Sequence, residues 1–209
     1  MLVNALYNVV DRIFIGQTSG SLAIAGLTIS FPIMIILMAF GMLIGIGGTA
    51  LISLNLGKGD QDEAERVLGN ALLLMIIVGI SLSVLGLIFT DPLLRLFNAS
   101  KDVMPYSKSY LSIILYGATL QMISFGLNRF IGAEGNAMMA MYTMLIGALS
   151  NILLDAIFIL GMNLGVQGAA LGTIIAQGIS ATWVLSYYLR NKSIVKFHKK
   201  NFKLDPHIM

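Results

Sequence analysis

The stretch MMAMYTMLIGALSNILLDAIFILGM, residues 138–162, decides the fold class. A helix needs about 20 predominantly apolar residues to cross a hydrocarbon core, and this run exceeds that length with one charged side chain, Asp155. Asn151 lies one helical turn earlier. A carboxylate at membrane depth costs about 2.5 to 3.5 kcal/mol on insertion scales, so Asp155 is expected to face a protein interior and to work there.

The rest of the chain has the same character. It is 57% hydrophobic and 11% charged, against about 25% charged in ordinary soluble domains, and its mean hydropathy is +0.86. With no cysteine, disulfides, thiolate metal sites and cysteine nucleophiles are excluded. The opening Met1-Leu2-Val3-Asn4-Ala5-Leu6-Tyr7 has no basic region before its apolar stretch, so a cleaved signal peptide is not expected.

Further uncharged runs cover 31–56, 67–89, 109–128 and 164–189, and residues 1–16 form a shorter apolar stretch carrying Asp11 and Arg12. Continuous apolarity excludes a barrel, whose strands alternate in polarity. The expectation is an all-α membrane protein: a six-helix transmembrane bundle over 1–189, its first helix truncated, then a basic tail over 190–209. Placing that tail in the cytoplasm puts most Lys and Arg of the connections inside, including Lys58, Arg66, Arg129, Arg190, Lys192 and Lys196. Both termini are then cytoplasmic. Trp183, Tyr187 and Tyr188 at the inner end, with Tyr106 and Tyr110 near an outer end, read as interfacial aromatics.

On this topology Asp11 and Asp155 lie roughly 7 to 10 Å below the outer boundary at about 1.5 Å per residue. Asn4, Asn8 and Asp11 share one helix face, Asn151 and Asp155 another, and Thr173 on the last span falls near the same layer. Carboxylate, amide and hydroxyl oxygens suit a hard cation such as Na+, and neighbouring carboxylates can instead share a proton. The plainer alternative is hydrogen bonding between helices, which costs little for the asparagines and Thr173 but leaves the charge of Asp155 unexplained.

Other patterns read as structure. Asp60 with Glu63 resembles a capping box, and the Gly57-Lys58-Gly59 turn lacks the ending of a phosphate-binding loop. Met34, Met38 and Met42 form a stripe that fits helix packing. Gly41 with Gly45, and Gly168 with Gly172, have small-residue spacing for close helix contact. His198 and His207 lie in the polar tail and read as solvated. No His pair or Ser/His/Asp set is present, so an enzyme is not expected.

Asn8-Val9-Val10-Asp11-Arg12-Ile13-Phe14-Ile15-Gly16-Gln17, Leu22-Ala23-Ile24-Ala25-Gly26-Leu27, the Gly57-Lys58-Gly59-Asp60 turn, and Asn151-Ile152-Leu153-Leu154-Asp155 with Gly165-Val166-Gln167-Gly168-Ala169-Ala170 closely resemble the multidrug and toxic compound extrusion (MATE) transporters. The resemblance runs in order along nearly the whole chain. It implies one N-terminal six-helix lobe of a two-lobe antiporter that exports organic, often cationic, compounds as H+ or Na+ enters. Asp11, Asn151 and Asp155 match the family's cation site, with positions matching Asn4 and Thr173 nearby. A proline common after the fifth-span acid is replaced by Ala156. The implied partners are small organic substrates, membrane lipid and a second six-helix lobe, with no nucleic acid and no cofactor beyond the coupling ion. The implied location is a bacterial or archaeal plasma membrane. A lipid-linked sugar flippase of the same superfamily would want a basic cavity, which these spans lack, and a non-transporting scaffold would tolerate loss of the acids.

Overall fold

The computed structural model describes residues 2–190, 193–198 and 201, with side chains from Asp11 onward. Every described element is helical. The first, α1 (Leu2–Gly57), would extend about 84 Å if straight, far more than a bilayer, and it is broken at Gly20, where φ is 77° and ψ is −173°. Only glycine holds that backbone without strain. The helix therefore runs beyond Gly16, where the sequence places its end, and Gly20 divides it into two limbs.

The second helix, α2 (Gln61–Ile88), begins at Asp60, whose side chain accepts from the Glu63 N–H at 3.1 Å. Only half of the expected capping box forms, because the Glu63 carboxylate pairs with Arg66 at 3.0 Å and the Asp60 N–H bonds the Asn55 carbonyl at 2.9 Å. A short α3 (Thr90–Leu96) precedes α4 (Met104–Tyr116) and α5 (Ala118–Ala133), which meet at 55° and form one bent span. The bend falls at Gly117, where a Cβ would lie 2.8 Å from that of Ile174 on the last helix. Next, α6 (Ala137–Asp155) opens on Asn136, which accepts from the Met139 N–H at 3.1 Å. It passes directly into a π-helical turn (Ala156–Gly161), and α7 (Gly165–Leu189) closes the bundle.

Exposure along α6 shows how the bundle sits in lipid. Leu149, Leu153 and Ile157 are 60%, 65% and 54% exposed, whereas Asn151, Asp155 and Ile159 on the opposite face are 3%, 0% and 0% exposed. Apolar side chains face outward and the polar pair faces inward, the arrangement that spares a carboxylate the hydrocarbon. Close packing inside relies on small residues: a Cβ at Gly41 would lie 3.3 Å from Met122 Cα, and one at Gly45 would lie 3.1 Å from Gly126 Cα. The Gly41/Gly45 pair thus lets α1 and α5 touch along their backbones. Phe130, Leu68, Met75 and Ile52 belong to one cluster of the core, and Leu111, Leu115, Leu94 and Ile15 to a second.

Three readings of the inner end change. Tyr187 and Tyr188 are buried in the core; the Tyr187 hydroxyl donates to Glu134 at 3.1 Å and that of Tyr188 to the Leu127 carbonyl at 3.4 Å. With protein partners for their hydroxyls, they need no headgroup layer. Tyr110 at the outer end is likewise buried. The start of the basic tail folds back as a strap across the end of the bundle that carries Gln61, Glu65 and Glu134. Ser193 donates to Glu134 at 2.6 Å, the Ile194 N–H to Glu134 at 3.1 Å, and the Lys196 N–H to Glu65 at 3.1 Å. Gln61 donates to the Ile194 carbonyl at 2.7 Å, and Gly69 admits the Asn201 backbone. His198 is not simply solvated, since its Nε2 lies 3.0 Å from Glu65. Burial pushes the Glu134 carboxyl above its ordinary value, against the pull of its Ser193, Ile194 and Tyr187 hydrogen bonds. His207, Lys199, Lys200 and Lys203 lie outside the described residues.

Candidate cation site

Four of the six side chains singled out in the sequence converge. Asp11 comes from the first limb of α1, Asn151 and Asp155 from α6, and Thr173 from α7, and none is more than 5% exposed. Asn4 and Asn8 share the helix of Asp11, but their side chains lie outside the described residues.

The Asp11 and Asp155 carboxyls are close enough to act on each other. Among the described residues no donor meets Asp11 Oδ1 or either oxygen of Asp155. Ionised carboxylates only accept hydrogen bonds, so the pair is incomplete by itself: it needs a shared proton or a small cation between its oxygens. Asn151 donates to Thr173 Oγ1 in a long contact of 3.4 Å, which leaves Asn151 Oδ1 without a donor. The amide oxygen is then available as a further ligand. No group of three His, Cys, Asp or Glu converges among the described residues, so any ion here meets two carboxylates supplemented by neutral oxygens.

Local structure explains how Asp155 reaches this position. The π-helical turn starts at the next residue, and the Met162 N–H bonds back to the Ile157 carbonyl at 2.9 Å, five residues earlier. Such turns are rare and recur at functional sites; here one stands where the resemblance leads one to look for a proline. Across from it, α7 offers Gly172. A Cβ at Gly172 would fall on Asp155 Oδ1 and lie 3.3 Å from its Cγ. The Gly168/Gly172 spacing reads as packing alone, and half of that reading is corrected: Gly168 meets the Phe158 backbone at 3.0 Å, but Gly172 makes room for the acid.

At Asn151 and Thr173 a cavity of about 60 Å³ opens between α5, α6 and α7; Ser124, Asn128, Asn151, Thr173, Gln177 and Ser180 contribute polar groups to a mainly apolar lining. The amide oxygens of Asn128 and Gln177 also lack donors among the described residues. Sequence reasoning passed over both, although Thr173, Gln177 and Ser180 form a polar stripe on an otherwise apolar helix. On the other side of Asp11 the exposed Arg12 holds its guanidinium 5.8 Å from the centre of the Phe31 ring.

Comparison with known proteins agrees with this architecture. The MatE family profile matches residues 1–157. Over 202 residues the chain is 33% identical to the multidrug export protein MepA of Staphylococcus haemolyticus (strain JCSC1435), covering 97% of this chain and 45% of that protein. It superposes on an outward-facing multidrug resistance MATE transporter with a TM-score of 0.89 at 29% identity, covering 100% of this chain and 46% of that one. The inward-facing form gives a TM-score of 0.91 at 26% identity over 97% of this chain and 46% of that one. The chain spans about half the length of the curated relatives it matches. The bundle of apolar helices, its match to the N-terminal half of these transporters and the family profile lead to one conclusion: the chain belongs to the MatE family of multidrug and toxic compound extrusion transporters, integral membrane proteins and not enzymes.

Proposed function

We propose that this chain forms the N-terminal lobe of an antiporter that exports organic, often cationic, compounds in exchange for H+ or Na+. The observation that carries the reading is the pair of buried carboxylates, Asp11 and Asp155, drawn from two helices, three of whose oxygens meet no donor among the described residues. A second six-helix lobe, supplied by further chain or by another polypeptide, would complete the transport path; the relatives' doubled length supports this.

The chemistry follows from competition. A small cation between the two carboxylates offsets part of their negative charge, and a cationic compound entering the lobe needs the same charge. Binding of one disfavours the other, which is the thermodynamic requirement for exchange. The donor-free oxygens of Asn128, Asn151 and Gln177 suit protonated amines and water, both of which supply N–H or O–H groups. Orientation with both termini in the cytoplasm is supported by the inward bias of Lys and Arg, and a prokaryotic plasma membrane is supported by the staphylococcal relatives.

The test is Asp155→Asn, expressed together with the second lobe. Drug resistance should disappear while the protein still accumulates in the membrane, and repeating the assay with and without sodium identifies the coupling ion. Undiminished resistance in that variant would reject the exporter reading.

A further inference from the structure

The Asp11/Asp155 pair has a charged neighbour for which the exchange scheme has no use. A pocket of about 10 Å³, lined by Asp11, Arg12, Leu27, Phe31, Met34 and Tyr110, is the size of a single water. It shares no lining residue with the larger cavity. Asp11 is 3% exposed with its Oδ1 unpartnered, and it lines this pocket. Arg12 sits at the mouth, stacked 5.8 Å from the Phe31 ring centre, and its charge acts on Asp11. An exposed arginine could place its head anywhere in the headgroup layer; the ring of Phe31 holds this one at the pocket that Asp11 also lines.

We infer that Arg12 is a resident counter-charge that sets the valence of the site. This rests on the cation-site reading above. Asp11 and Asp155 together carry two negative charges and Arg12 returns one positive, so a single monovalent cation brings the group to neutrality. A divalent ion would leave an excess positive charge in a low-dielectric setting, where it is costly. The ligand set points the same way, because no third carboxylate joins the pair among the described residues. Arg12 is thus a selectivity residue that touches neither cation nor drug. It keeps abundant divalent ions from occupying a site that must empty on every cycle.

Removing the charge should act twice as strongly, in free energy, on a divalent ion as on a monovalent one. With an effective dielectric near 20, and allowing for screening of the exposed guanidinium, Arg12→Gln should raise monovalent affinity about tenfold and divalent affinity about a hundredfold. The purified chain in detergent is titrated with NaCl or CaCl2 at ionic strength balanced by choline chloride, and thermal unfolding reports binding. Wild type and Arg12→Lys should gain little from calcium. Arg12→Gln and Arg12→Met should acquire calcium-dependent stabilisation that disappears when Asp155→Asn is added. A calcium gain no larger than the sodium gain, or one that survives Asp155→Asn, would overturn the inference. The two failures separate: full export by Asp155→Asn rejects the underlying site, whereas lost export by Asp155→Asn with no calcium gain in Arg12→Gln rejects only the role of Arg12.

Discussion

Gly172→Ala adds one methyl group and no charge, yet it should disable the site. The new Cβ would clash with Asp155 Oδ1 and lie 3.3 Å from Cγ and 3.4 Å from the backbone nitrogen. The backbone of α6 cannot yield, so the carboxyl must swing away. Overpacking of this kind costs about 1 to 3 kcal/mol, and the better helix propensity of alanine returns about 0.5 to 1 kcal/mol. Net destabilisation is therefore modest. The effect on the ion is larger in proportion: moving one carboxylate from roughly 3 to roughly 4 Å from a unit charge, at an effective dielectric near 20, loses about 1.4 kcal/mol, or tenfold in affinity. At an ion concentration about ten times the wild-type Kd, ion-dependent stabilisation should fall from about 1.4 to about 0.4 kcal/mol. The assay is thermal unfolding of the purified chain with and without the coupling ion, alongside drug export at matched membrane abundance. Gly168→Ala is the control, because its Cβ would press on the Phe158 backbone at 3.0 Å, away from the carboxylates; it should lose stability and keep the ion response. A Gly172→Ala protein with wild-type ion response and export would refute the argument that this glycine exists to make room for Asp155.

The remaining expectations concern other parts of the fold. Gly20→Ala meets no atom within 4 Å but must hold φ at 77°, so it should cost about 1 to 3 kcal/mol of backbone strain alone, measured by chemical unfolding. Gln177→Leu removes a donor-free amide oxygen and should leave stability unchanged or raise it by about 1 kcal/mol, while weakening drug binding measured by fluorescence titration; loss of stability would contradict the cavity assignment. Burial raises the Glu134 carboxyl above its ordinary 4.5, so the folded protein binds that proton more tightly than the unfolded chain. The contribution of Glu134 to stability should be fully present below pH 4.5 and should weaken as pH rises through the raised value. Amide exchange at Ile194, compared at each pH with Glu134→Gln, checks this: the ratio between the two proteins should change with pH, and a constant ratio would reject the coupling.

Much of the bundle could be read because the bilayer is a severe solvent. Only continuous apolar helices satisfy their backbone there, so uncharged runs mark the spans, and the cost of a buried charge singles out Asp155. The i, i+4 spacing of Asn151 and Asp155 then fixes their common face without any knowledge of neighbours. The same logic failed for Tyr187 and Tyr188, because composition places amphipathic rings near an interface but cannot say whether a protein group such as Glu134 will take the hydroxyl. It failed for His198 in the same way, since its partner Glu65 lies far away in sequence.

Local information determined the helices, the membrane and the two acids whose charge cannot be left in lipid, because hydropathy and helical period are properties of consecutive residues. Only the tertiary structure decided that Asp11 and Asp155 become neighbours, that Gly172 opens the space between helices for one of them, and that Arg12 lies over the Phe31 ring. Those facts depend on how four chain segments cross. Crossing is set by side-chain fit between segments remote in sequence, which no single run of residues records.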